Sequence, residues 1–272
     1  MPLASGLIFS KNMIKIIGIN SSLRDKHNPI TQHDSYTRVL LKFGLDYIRK
    51  KYKDVEVEII DLGKFNILPE QGAYSTDENF VQLKHPNCKD DMLKIIPKIL
   101  EADGIIFSSP VYWGYPSGLL KTFFDRLIIL DEISDDPSKR RLQGKVAGAI
   151  STAKFDGSSR VAQDILIMAN YLGLIVPPHA FSFHTGRMTA SVMEDDKDFE
   201  ENYFAKRNTQ IVVENIYFMA KLVKNKKWKI FQEFTHPLSD DEKAGKFDIK
   251  KEQKRFKDNK YFKDFNKRKG LV

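Results

Sequence analysis

Short apolar runs without alternation recur along the chain, and most are followed by a stretch whose apolar residues return every three or four positions. Met13-Ile14-Lys15-Ile16-Ile17-Gly18-Ile19 is the first run. A polar loop then leads to a helix predicted over about 35–53, with Val39, Leu40, Phe43, Tyr47 and Ile48 at helical spacing. Val55-Glu56-Val57-Glu58-Ile59-Ile60 alternates strictly, as an edge strand with one solvated face does. Residues 61–89 have no clear period. A helix is predicted over about 90–101, kinked by Pro97, and leads into Gly104-Ile105-Ile106-Phe107, a strand covered on both faces. Ser108-Ser109-Pro110 is expected to end that strand, with Gly114, Pro116 and Gly118 keeping the chain irregular until a helix from near Ser117 to about Asp131. Lys145 to Ile150 reads as the fourth strand, 159–172 as a helix, Leu174 to Val176 as a fifth strand, and about 200–223 as a long helix.

Strands alternating with helices in this way predict an α/β fold, a doubly wound five-stranded parallel sheet with right-handed crossovers and helices on both faces. Loops at the carboxyl ends of such strands converge on one crevice. Three are conspicuous here: Asn20 to Arg24, Ser109 to Gly114, and Ser151 to Ser158. The first offers hydroxyls at Ser21 and Ser22 and a guanidinium at Arg24, followed by Ser35 and Thr37 where the first helix begins. That is the chemistry of a phosphate site at a helix N-terminus, and equally of a capped helix after a polar loop. With neither G-x-G-x-x-G nor G-x-x-x-x-G-K-[ST], a mononucleotide phosphate is the expectation. Tyr112 and Trp113 on the second loop suit either a flat aromatic ligand or packing against a neighbouring subunit.

Composition narrows the class. With 272 residues and 42% hydrophobic content the chain can bury a sizeable core, and no run approaches the about 18 apolar residues of a membrane span. Residues 1–12 lack a basic segment before their short apolar stretch, so they read as a flexible N-terminus rather than a secretory leader, and the expected location is the cytoplasm. The single cysteine, Cys88, excludes an intrachain disulfide. The six histidines show no metal-binding spacing, Asp90-Asp91 reads as helix-start charge, and no metal is expected. From Lys221 to Val272 there are 17 Lys and Arg against 8 Asp and Glu, so the net charge of +8 belongs to this tail. Phe247, Phe256, Tyr261, Phe262 and Phe265 interleave with those charges. The favoured reading is an anchoring extension, with nucleic-acid binding as the alternative.

The block from Ala102-Asp103-Gly104 through Ser109-Pro110-Val111-Tyr112-Trp113-Gly114 to Leu120-Lys121 and Asp125-Arg126 resembles the flavodoxin-like NAD(P)H-dependent FMN reductase family, near its iron–sulfur flavoprotein branch. Gly18 to Arg24 and Lys89-Asp90-Asp91-Met92 carry the same resemblance, which covers about 13–183. It implies a flavodoxin-like strand order 2-1-3-4-5 and an FMN-binding domain, taken over 13–223, while the charge count alone marks 224–272 as a basic extension. By the same resemblance, Ser21, Leu23, Arg24, Ser35, Tyr36 and Thr37 surround the FMN phosphate. Pro110, Val111, Tyr112, Trp113 and Gly114 meet the isoalloxazine, and Ser151, Thr152, Ala153, Lys154, Phe155, Asp156 and Gly157 close its other side. Lys154 either places positive charge near the flavin or is a solvated loop lysine. Hydride comes from NADPH or NADH and goes on to a small-molecule acceptor such as a quinone, flavin or nitroaromatic, with no catalytic side chain assigned. A homodimer or homotetramer with Trp113 near an interface is also implied.

Two departures stand out. Members with a cluster carry several cysteines between the second strand and second helix, where this chain has only Cys88, so no iron–sulfur cluster is expected. Residues 25–34 lengthen the phosphate loop. A non-enzymatic electron carrier, or a flavin-fold scaffold with a nucleic-acid-binding tail, is the competing class. Flavodoxin-type carriers are short and strongly acidic, and this chain is neither.

Overall fold

Ile14, Ile16, Ile17 and Ile19 are all buried, so aliphatics on both faces of the first strand require a helical layer above and below the sheet. The computed structural model of the chain describes residues 13–25, 27, 34–70, 89–130, 141–186 and 202–226. Strands β1 (Ile14–Asn20), β2 (Val55–Asp61), β3 (Gly104–Tyr112), β5 (Val146–Ala153) and β6 (Phe181–Thr185) form a parallel sheet in the order β2-β1-β3-β5-β6, and the two-residue β4 (Tyr115–Pro116) pairs antiparallel with the end of β3. Counting only parallel strands, this is the expected 2-1-3-4-5 order. The helices are α1 (Tyr36–Lys51), α2 (Met92–Glu101), α3 (Gly118–Arg126), α4 (Ser158–Tyr171) and α5 (Tyr203–Lys226).

One core lies between the sheet and α1 with α5, where Leu40, Leu41, Leu45 and Ile48 meet Val212, Val213, Ile216 and Tyr217 over Ile14, Ile16, Ile106 and Ile150. The opposite core packs Ile95, Ile99, Phe123, Val161 and Ile165 on Ile17, Ile19, Ile105 and Phe107. Each such side chain contributes about 1.5–3 kcal/mol relative to exposure. α1 and α5 cross closely at Gly44, where a Cβ would lie 2.7 Å from Thr209 Cγ2 and 2.9 Å from Val213 Cγ1.

The structure corrects several expectations. Pro110 does not end β3. β1 stops pairing at Ser108, so at Ser109 and Pro110 β3 is an edge on that side with β5 as its ladder partner, Pro110 lying opposite Thr152. At such an edge the missing proline N–H costs no ladder bond. The segment after Tyr112 is not irregular either. Tyr112 pairs with Tyr115 across Trp113 and Gly114, whose φ values of 54° and 77° are those of a type I′ hairpin turn. Leu174 to Val176 supplies only one bridge, Ile175 to Val146, because Pro177-Pro178 follow; the fifth parallel strand is Phe181–Thr185. β5 runs to Ala153, which places Ser151, Thr152 and Ala153 on a strand rather than a loop. α5 starts and ends about three residues later than the expected 200–223. Cys88, the N-terminal 1–12 and the tail beyond Lys226 lie outside the described residues.

The resemblance blocks at 89–92 and 125–126 meet physically. Asp90 forms a buried ion pair with Arg126 at 3.4 Å, and its Oδ1 accepts from the Met92 N–H at 2.8 Å. Helix-start charge is thus only half of its role.

Candidate functional site

The carboxyl ends of β1, β3 and β5 and the N-terminus of α1 lie along one edge of the sheet, and they carry every site residue expected from the sequence. Hydrogen bonds weld these pieces together. Ser21 Oγ donates to the Ser108 carbonyl at 2.9 Å and accepts from Ser117 Oγ at 2.9 Å. Ser117 also caps α3, accepting from the Leu120 N–H, and its own N–H donates to Ser109 Oγ at 2.9 Å. The Ser21 hydroxyl is therefore committed to protein partners. Thr37 and Thr152 share a hydrogen bond of 2.5 Å that ties the first turn of α1 to the end of β5.

Ser35 is the N-cap of α1, accepting from the Arg38 N–H. Tyr36 is buried and stacks on His184 of β6, with ring centroids 4.3 Å apart and planes at 19°. His184 Nδ1 lies 2.6 Å from the Asn202 side-chain nitrogen, while Asn202 Oδ1 accepts from the Ala205 N–H at the start of α5. That second bond fixes the amide orientation, so the Asn202 nitrogen donates and Nδ1 accepts. Leu23 and Arg24 are exposed at the loop surface.

The guanidinium of Arg38 closes the loop after β1. Nη2 donates to Asp61 Oδ2 at 2.8 Å and to the Ser22 carbonyl at 3.1 Å; Nη1 donates to Asp34 Oδ1 at 2.6 Å and to the Arg24 carbonyl. Burial opposes its charge, but the Asp34 hydrogen bond and the Asp61 carboxylate outweigh it and hold its pKa above the ordinary value. Asp61, opposite Asn20 in the ladder, also accepts from Asn20 Nδ2 at 3.0 Å. Neither Arg38 nor Asp61 was among the expected site residues, nor was His184. One signal was available, because a cation in the first turn of a helix opposes the macrodipole and calls for carboxylates nearby.

The other half of the site is aromatic. Trp113 is 99% exposed on a left-handed residue, a conformation costing about 1–2 kcal/mol for a side chain with a Cβ. Tyr112, Tyr115 and Phe155 are also exposed, and Lys154 lies over the Phe155 ring at 5.9 Å. Gly157 has φ 85°, and a Cβ there would be 3.4 Å from Val111 Cγ1 and 3.5 Å from Gly114 Cα, so the hairpin and the β5–α4 bend touch. Asp156 Oδ1 accepts from the Gly157 N–H at 2.6 Å.

A group with a phosphate and a flat polar-edged ring fits these residues. The 16-residue α1 has no acid in its first turn and starts on this edge, where the peptide N–H groups of a helix N-terminus favour an anion. Ser151 is fully buried beside Ser109 in the β3–β5 ladder, and its hydroxyl has no hydrogen-bond partner among the described residues. A ligand heteroatom would relieve it. Among the same residues no group of three or more His, Cys, Asp or Glu could hold a metal, and no helix is long and apolar enough to cross a membrane.

Comparison with known proteins points the same way. The family model of NADPH-dependent FMN reductase matches residues 14–187. The chain is 22% identical over 210 residues to an 8-demethyl-8-aminoriboflavin-5'-phosphate synthase of Streptomyces davaonensis, covering 77% of this chain and 78% of that protein. It is 35% identical over 113 residues to an iron–sulfur flavoprotein of Methanocaldococcus jannaschii, covering 42% of this chain and 51% of that protein. Across its curated relatives the chain spans from 21% to 90% of their length. In fold it is similar to the crystal structure of RosB with bound 8-demethyl-8-formylriboflavin-5'-phosphate, with a TM-score of 0.65 and 21% identity over 79% of this chain and 82% of that one.

Proposed function

The chain belongs to the NADPH-dependent FMN reductase family, and from that premise we propose that it holds FMN at the carboxyl edge of its sheet, takes hydride from NADPH or NADH, and reduces a small-molecule acceptor. Flavin-dependent oxidoreductase chemistry comes with the family. The observation that carries the site is the convergence of an anion-receptive helix start, an orphaned buried hydroxyl at Ser151 and an exposed aromatic hairpin on one edge.

In this reading the loop Ser21 to Asp25 and the first turn of α1, Ser35 to Thr37, hold the phosphate. Pro110 to Gly114 lie along the ring, with Ser151 to Gly157 on its far side. FMN, when bound, exchanges two electrons with a hydride donor and one or two with an acceptor. The protein supplies placement: Thr37 and Thr152 lock α1 to β5, and the I′ turn holds Trp113 over open solvent, where a second planar ring can reach the site. No side chain need move a proton. A homodimer or homotetramer in the cytoplasm, without an iron–sulfur cluster, completes the proposal.

The test is direct. Purified protein should be yellow and release FMN, not FAD, on denaturation, with iron and sulfide far below stoichiometric in anaerobic preparations. NADPH or NADH should bleach the flavin band anaerobically in a first-order phase. A flavin that stays oxidised with both nucleotides yet is reduced by dithionite would leave an electron carrier instead. A second reading, FMN as the compound transformed rather than a resident redox group, is favoured by the synthase relative that covers 77% of the chain. Mass spectrometry of the flavin recovered after turnover separates the two, since only the second changes its mass.

A further inference from the structure

We propose that Arg38 and Asp61 are positioning residues of the phosphate site, holding the loop after β1 so that its peptide N–H groups, rather than the Arg38 charge, meet the phosphate. This rests on the reading of the site as an FMN site. Both terminal nitrogens of Arg38 are committed to protein acceptors: the Ser22 and Arg24 carbonyls, Asp34 and Asp61. The side chain is 14% exposed and that of Asp61 12%. Asp61 also grips Asn20, whose Nδ2 donates to the same Ser22 carbonyl at 3.2 Å, so this carbonyl receives two converging donors.

Peptide geometry turns this clamp into a binding surface. Among the described residues there are no cis peptide bonds, and in a planar trans peptide the carbonyl and the following N–H point in opposite directions. Drawing the Ser22 and Arg24 carbonyls onto Arg38 therefore turns the Leu23 and Asp25 N–H groups to the opposite side of the loop. Two oriented peptide donors next to a helix start form a concavity suited to an anion. The ion pairs with Asp34 and Asp61 meanwhile offset a cation placed against the dipole of α1. Only a planar fork reaches all four acceptors, so lysine is not an equivalent replacement.

The experiment compares FMN and riboflavin binding to the full-length flavin-free protein by calorimetry, because the two ligands differ only in the phosphate. Wild type should prefer FMN by about tenfold or more, given charge-assisted hydrogen bonds to a phosphate. Arg38→Met, Arg38→Lys and Asp61→Ala should each lose most of that preference, with riboflavin affinity changed by less than about threefold. If Arg38 instead met the phosphate by charge, Arg38→Lys would keep the preference. Asp61→Ala would then increase it, by removing a carboxylate. Either outcome overturns the proposal. Thermal melts by circular dichroism check folding, and Arg38→Lys, the most conservative change, decides if the others do not fold. Wild type that binds neither flavin, or both equally, would overturn the phosphate-site reading itself and the proposal with it.

Discussion

Ser151 and Trp113 are both held in ways that folding alone does not reward. A buried hydroxyl without a partner costs about 1–3 kcal/mol, and Ser151 Oγ has none among the described residues. Ser151→Ala should therefore stabilise the flavin-free protein by about 1 kcal/mol, roughly a 2 °C rise in Tm for a chain of this size. The same change should weaken FMN binding by about fivefold, the equivalent of one lost hydrogen bond. Melts with and without FMN measure both; a variant more stable without FMN and unchanged in affinity would show that the hydroxyl faces no ligand. Ser21 differs, because its hydroxyl already bridges the Ser108 carbonyl and Ser117. Those bonds tie the loop after β1 to β3 and to the start of α3.

At the scale of elements, the edge opposite the site carries a titrating lysine. Lys145, just before β5, donates from Nζ to the Leu100 and Ala102 carbonyls at 2.6 Å each, at the C-terminal end of α2 where carbonyls lack intrahelical partners. Burial pushes its pKa down to about 8, partly offset by Asp103, with Lys224 adding to the depression. Between about pH 8 and the ordinary lysine value the unfolded chain binds more protons at this site than the folded chain, so stability from Lys145 rises with pH across that window. Urea denaturation of wild type and Lys145→Met at pH 7, 8, 9 and 10 should show the difference moving in favour of wild type above pH 8. A difference flat in pH would mean that the ammonium is not desolvated.

For the whole molecule, the net charge of +8 resides in residues 221–272, most of which lie outside the described structure, and the rest of the chain is close to neutral. We expect no retention on DNA or RNA at physiological salt, and any retention at low salt to fall steeply as salt rises, the signature of counterion release. Gel-shift titrations over a salt series check this. Salt-tolerant binding that disappears on truncation after Lys226, with the domain still folded, would instead make the tail a nucleic-acid module.

Sequence alone determined the layered α/β architecture, because unalternated runs such as Gly104-Ile105-Ile106-Phe107 can be buried on both faces only inside a parallel sheet between helices. It also determined the edge on which the site lies, since chain direction puts the β1, β3 and β5 loops together, and motif likeness named their family. Tertiary structure decided the rest. Pro110 stays in β3 because its β1 neighbour has already ended, which no local pattern records. Asp90 pairs with Arg126, Arg38 with Asp61 and Tyr36 with His184 across 36, 23 and 148 positions of chain. Such partnerships are set by which strand ends the sheet brings side by side. Local propensity reads only near neighbours, so the frame was legible while the contacts that hold the phosphate loop in shape were not.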